Sequence, residues 1–273
     1  MTATGIAAPC HSDGKVQIDV EADGNGRSSY TTLASSGALA VRATLDGAWL
    51  VGASAHPIGG DALHVDISVG AQAALSVRSA SATLARASVP SRASRMEITA
   101  AVADRGTLRW SPEPGVAAAG CVHRSFARVS LHPNARLYWS EAIVLGRVDE
   151  PFGSWSSQIR IDVAGRPLIV SDLALGPAFP SWSSSAVLDG ARCACSTVVV
   201  RPGRSAPEAF THVTAGRPVT AGLVLPLSGC AVQLMSWGAS LPECRDIMHA
   251  LADDPRLESW RLNWSEPPLN WGE

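Results

Sequence analysis

Apolar and polar side chains alternate with a period of two along most of this chain, and that pattern constrains the fold more than any other feature. In GGDALHVDISVGAQAAL (59–75), Leu63, Val65, Ile67 and Val69 occupy every second position, while His64, Asp66 and Ser68 point the other way. This is the period of a half-buried β-strand. MEITAAV (96–102), RVSL (128–131) and QIRIDV (158–163) repeat it. AGRP (164–167) is a turn before LIVSDLAL (168–175), so 158–175 reads as a hairpin. STVVVRPG (196–203) is a short apolar strand ended by Pro-Gly. Strands recur about every 8–12 residues, the spacing of an all-β sandwich, barrel or stacked β-coil.

Two segments are expected to be helical. APEAFTHVTAG (206–216) is short and ends in glycine. SLPECRDIMHALADD (240–254) has a capping box in Ser240 and Glu243, a first-turn Pro242 and a stripe of Ile247, Met248 and Leu251. The tail ESWRLNWSEPPLNWGE holds three of the nine tryptophans. Exposed indoles are costly, so it either packs back on the body or docks on a partner. No fixed-period repeat or biased linker divides the chain. One β-rich domain over 15–273, including the helix and the Trp-rich tail, is expected behind a flexible segment, 1–14.

With 273 residues, 46% of them hydrophobic, the chain can bury a sizeable core. Its 22 basic and 24 acidic residues form no basic run, which argues against a nucleic-acid partner. MTATGIAAPCHSDGK at the N-terminus lacks the charged start and apolar core of a secretory signal. The most apolar stretch, VTAGLVLPLSGCAV, is too short to span a bilayer and contains Pro226. A cytoplasmic protein with no membrane contact is expected, and its six cysteines are expected to be free thiols. Cys193 and Cys195 share one strand face and could clamp a soft metal. Two thiolates make an incomplete site, which favours small buried hydrophobes.

Catalytic motifs are missing: the sequence has no Gly-rich phosphate loop, no G-x-S-x-G elbow and no closed zinc spacing. His64 and Asp66 could act as a pair, but alternating polar residues on a strand are more often its solvated face. His56, His123 and His132 stand alone in turns or at strand ends. Asp61 follows Gly59 and Gly60, which permit a sharp turn, and an Asp there caps its own backbone. A cation path would instead need its charge. TLRWSPEPGV (107–116) runs a strand into a corner where Glu113 lies between Pro112 and Pro114. LYWSEAIVLGR (137–147) places Glu141 within an apolar strand that exits at Gly146 and Arg147. Such a charge must be paired or wet. Either Arg147 is its partner or Glu141 lines an internal passage.

Taken in order, Gly59-Gly60-Asp61, an Ala-rich strand closing at Arg86, Leu108-Arg109-Trp110-x-Pro112, and Glu141 before Leu145-Gly146-Arg147 resemble the UreD family, called UreH in some lineages. The similarity runs from about residue 15 to about residue 265. It implies a non-enzymatic urease accessory protein of elongated, β-helix-like form. Such a protein joins accessory proteins F and, through F, G to apo-urease and helps deliver nickel through a polar tunnel. The resemblance places Asp61, Glu141 and Glu150 on a transient nickel path and implies no tightly bound cofactor. Isolated carboxylates hold a borderline cation only briefly, which suits transfer. The chain departs from the family pattern at Thr83 and Ala85, where a Lys and an aromatic are usual. It departs again at Ser171, where a Glu is usual; the adjacent Asp172 faces the other way, because one step along a strand reverses the face. The alternative from another class is a β-helical carbohydrate-active enzyme, which needs paired carboxylates in a cleft. A third is a β-barrel that binds a small apolar ligand.

Overall fold

The computed structural model describes residues 13–184, 187–214, 220–227 and 230–260. The chain begins with β1 (Asp13–Ala22), β2 (Ser28–Gly37), β3 (Leu39–Thr44), β4 (Gly47–Gly52), β5 (Ala62–Val69) and β6 (Ala74–Ser79). It continues through β7 (Thr83–Ala85), β8 (Ala93–Val102), β9 (Thr107–Trp110), β10 (Gly115–Ala117), β11 (Val122–Leu131) and β12 (Arg136–Leu145). The hairpin β13 (Ser154–Val163) and β14 (Arg166–Leu175) follows, then β15 (Cys193–Val200), β16 (Phe210–Thr214), β17 (Thr220–Leu227), β18 (Ala231–Gly238) and the helix α1 (Leu241–Asp253).

Two sheets face each other, in the orders β14-β13-β11-β8-β5-β1-β2 and β16-β17-β18-β15-β12-β9-β6-β4-β3. From β5 to β13 the chain passes back and forth between the two sheets. Each circuit leaves one strand in the first sheet and one or two in the second, where β7 and β10 pair beside the main path. The centres are therefore parallel: β1-β5-β8-β11-β13 in the first sheet and β4-β6-β9-β12 in the second. Antiparallel hairpins, β1–β2 and β13–β14, close both edges of the first sheet. This solenoid-like arrangement, 57% strand and 8% helix, is the expected all-β class.

In-register pairing stacks equivalent side chains into rows that face the interior. Ile18, Ile67, Ala100, Val129 and Ile161 form one row; Val16, Val65, Ile98, Ala127 and Ile159 form the next. All ten belong to the main core cluster. Full burial of each large aliphatic side chain contributes about 1.5–3 kcal/mol, so these rows dominate the solenoid's stability. The following rows change character. Leu63, Met96, Ser125 and Ser157 come next, then Ser94, His123 and Trp155, with Asp61 immediately before β5. The interior thus passes from dry aliphatic to polar along the strands.

The segment expected to be a helix over 206–216 is instead the edge strand β16, antiparallel to β17. Phe210, Thr211, Val213 and Thr214 are aromatic or β-branched and favour a pleated strand once a partner edge is present. The helix expected over 240–254 does form. Ser240 Oγ accepts the Glu243 N–H at 3.4 Å, while the Glu243 carboxylate accepts from Thr220 Oγ1 at 2.9 Å, tying the first turn to β17. Ile247 and Leu251 lie so close to β17 that a Cβ on Gly222 would come within 2.4 Å of Ile247 Cγ2. Glycine is needed there for close approach. Trp260 is buried and donates its indole N–H to the Ser205 carbonyl, so the first tail tryptophan packs back on the body. Trp264, Trp271 and residues 1–12 lie outside the described residues.

Candidate functional site

The polar rows border a cavity of about 270 Å³ between the two sheets. Glu141, Ser125, Trp110 and Trp155 line its depth, His56 lines its wall, and Glu113 lies where it meets the surface. Glu113 is exposed and pairs with Arg245 of α1 at 3.2 Å, linking the mouth to the helix. Trp110 stacks on Trp139 with ring centroids 5.0 Å apart, and its own indole N–H is buried without a partner among the described residues. The lining is mixed, with core side chains such as Leu39, Leu63 and Ile98 beside these polar groups.

Glu141 is held from both sheets. Ser157 Oγ donates to Oε2 at 2.5 Å and Trp139 Nε1 donates to Oε1 at 3.1 Å. The side chain is half-buried and lines the cavity. Burial lifts its carboxyl above the ordinary carboxylate range, and the bonds from Ser157 and Trp139 oppose that rise. Arg147 is not its partner, contrary to one of the two readings of the sequence. Arg147 forks onto Glu150, Nε to Oε2 at 2.8 Å and Nη2 to Oε1 at 2.9 Å, and its backbone N–H adds a third bond to Oε2. These bonds hold the Glu150 carboxyl down at about 2. The pair clamps the turn that begins at Gly146 (φ 74°), and both Glu150 oxygens are engaged by it.

Asp61 is almost wholly buried and does two things. Its Oδ2 accepts the Ile58 N–H at 2.7 Å, which closes the turn, and lies 2.6 Å from His56 Nδ1. Gly60 carries the turn at φ 98°, and a Cβ on Gly59 would come within 2.3 Å of the Arg92 carbonyl. Arg86 completes the corner: its carbonyl accepts from the Gly59 N–H at 3.0 Å and its Nη2 donates to the Ala55 carbonyl at 2.7 Å. The motif residues Gly59, Gly60, Asp61 and Arg86 thus form one corner next to His56 and Pro57, which line the cavity together with Trp110, Pro112 and Glu141. Glu150 stands apart at the rim turn. Thr83 lines the cavity, Ala85 is fully buried, and Asp172 is exposed, with Gln158 Nε2 donating to it at 2.7 Å.

All three histidines that stand alone in sequence acquire partners: Asp61 for His56, Asp104 at 3.1 Å for His132, and Ser94 for His123. His123 is completely buried, bonds Ser94 Oγ through Nδ1 at 2.9 Å and packs on Trp155. Burial pushes its pKa down to about 3, so it is neutral. The sequence carried a usable sign of this region: inward positions in three neighbouring strands switch from Ile and Val to Ser, Met, His and Trp. His64 and Asp66 lie on the outer face, 3.5 Å from Glu97 and 3.4 Å from Lys15.

The thiols gather elsewhere. Cys193 and Cys195 of β15 meet Cys244 of α1 in a dry cluster with Ala142, Val144, Leu241 and Met248. Cys244 Sγ donates to the Cys193 carbonyl at 3.6 Å. Burial pushes the Cys193 thiol up to about 12. Among the described residues, no group of three or more His, Cys, Asp or Glu side chains is arranged to hold a metal ion, and no helix is long and apolar enough to cross a membrane.

The family described as UreD urease accessory protein matches residues 12–268. A urease accessory protein UreD of Streptomyces avermitilis is 38% identical over 208 residues, covering 74% of this chain and 80% of that protein. One from Parafrankia sp. is 34% identical over 279 residues, covering 91% and 86%. One from Frankia alni is 37% identical over 222 residues, covering 75% and 72%. The chain belongs to the UreD family of urease accessory proteins.

Proposed function

We propose that this chain is a non-enzymatic scaffold for urease maturation. It joins accessory protein F, and through F accessory protein G, to apo-urease, and passes nickel through the cavity between its sheets. The observation that carries the nickel step is Glu141: a carboxyl group held by two hydrogen bonds at the wall of an internal cavity whose mouth bears Glu113. Ni²⁺ accepts oxygen and nitrogen ligands, and a site with few of them binds weakly enough to release the ion. Burial disfavours the bare charge of Glu141, so an arriving cation would offset the cost that burial places on the carboxylate.

The face for F is assigned to α1 and the segment after it, 240–271, where Arg245, Asp246 and His249 are exposed. Truncation after Trp260 keeps Leu257 and Trp260 in the core. It should abolish co-purification with F while preserving the β-type circular dichroism; full recovery of F would refute this surface. The function itself is tested by co-expressing the urease operon with and without this gene. Urease activity and nickel per urease should both fall without it, and unchanged nickel content would contradict the proposal.

A further inference from the structure

We infer that His56 is a nitrogen donor for the cation in the cavity, and that Asp61 acts through it as a positioning residue. The inference rests on the nickel-passage reading. An Asp carboxylate offers only lone pairs, so the imidazole nitrogen 2.6 Å from Asp61 Oδ2 carries the hydrogen. In the neutral ring this leaves the lone pair on Nε2. That atom has no protein partner among the described residues, and the ring lines the cavity. A carboxylate behind an imidazole whose second nitrogen is uncommitted is the arrangement by which metal-binding histidines are oriented and made more basic. The other described histidines lack this combination. His123 is sealed in the core, His64 and His132 pair with carboxylates on the outer surface, and His212 and His249 are exposed.

The same geometry explains why Asp61 is not itself the ligand. Oδ2 already serves both the Ile58 N–H and His56, and the carboxylate is almost inaccessible. Its charge reaches the cavity through the ring. His56 and Glu141, which both line the cavity, then give an entering cation one nitrogen and one oxygen donor, too few for tight retention and of the right hardness for Ni²⁺.

The test uses the full-length chain with histidine rings isotope-labelled, titrated with nickel chloride and followed by NMR. Paramagnetic Ni²⁺ should broaden the His56 ring signals at substoichiometric metal, and Glu141→Gln should weaken that broadening. His56→Gln, which can still donate to Asp61, should lower affinity at this site about tenfold or more, and Asp61→Asn should fall between it and wild type. An unchanged amide spectrum verifies that each variant is folded. His56 signals that stay sharp in excess nickel would overturn the inference, as would an Asp61→Asn loss larger than that of His56→Gln. A parallel arm measures nickel in urease co-expressed with Glu141→Gln or His56→Gln. If only Glu141→Gln lowers it, the His56 assignment fails and the passage stands; if Glu141→Gln leaves it unchanged, the passage itself fails.

Discussion

The cavity and the thiol cluster both concentrate metal-binding residue types, yet they are built in opposite ways. At the cavity, two carboxyl groups and an imidazole border open volume, and parts of their surfaces are uncommitted. Under α1, three cysteines cluster with apolar neighbours, all three of them buried. Residue type alone does not make a site; accessible volume and unused lone pairs do. On the proposed reading the cavity is the working region, and the buried side of α1 is a core that anchors the helix whose exposed side is assigned to F.

The largest expected effect tests whether the α1 side is structural. Trp260 fills a cluster with Tyr138, Val224, Leu234, Ile247 and Leu251. Trp260→Ala should destabilise the chain by about 3–5 kcal/mol in denaturant unfolding. A loss under about 1 kcal/mol would show a loosely packed region and weaken the contrast.

A smaller effect comes from the sealed end of the polar rows. The His123 pKa falls from 6.5 to about 3 on folding. Below pH 6.5 the unfolded chain takes up a proton that the folded chain refuses, so stability from this residue is full above pH 6.5 and is lost as pH falls toward 3. At pH 5 the loss is about 2 kcal/mol. Thermal melts between pH 7.5 and 5 should show it, and His123→Gln should flatten the curve. Equal slopes in both proteins would refute it.

A pair of changes, of which Glu141→Gln has the smallest expected effect on stability, separates the two regions by chemistry. Cys193→Ser with Cys195→Ser should cost about 1–3 kcal/mol through buried hydroxyls and leave F binding unchanged. Glu141→Gln should instead be nearly neutral for stability at pH 7, because the amide retains the Trp139 and Ser157 contacts and removes a group whose ionised form is disfavoured by burial. A large fall in melting temperature for Glu141→Gln would mean that its charge is structural.

Much of the fold was legible in the sequence because strand alternation is local. The rows through Val65 and Ile67, the hairpin at 164–167 and the Ser240 cap all follow from nearest-neighbour chemistry. Strand β16 was not, because its pairing to β17 is a tertiary contact that outweighs the short helical pattern of 206–216. The site was legible only in part. Glu141 stood out as an acid in an apolar strand, and the glycine turn identified Asp61. The pairing of Arg147 with Glu150 rather than Glu141 depends on the turn at Gly146, which brings Glu150 back onto the guanidinium. His56 gave no local sign, since its role arises from where the corner places the ring relative to a cavity formed by both sheets.

The most direct test of the central claim sets one change in each region side by side. Urease co-expressed at limiting nickel with the remaining accessory proteins and either Glu141→Gln or the Cys193→Ser, Cys195→Ser pair is purified and its nickel counted per active site. A severalfold deficit is expected with Glu141→Gln, despite normal solubility and complex formation, and wild-type occupancy with the thiol pair. Full nickel occupancy with a complex-forming Glu141→Gln chain, or a deficit confined to the thiol pair, would contradict the claim.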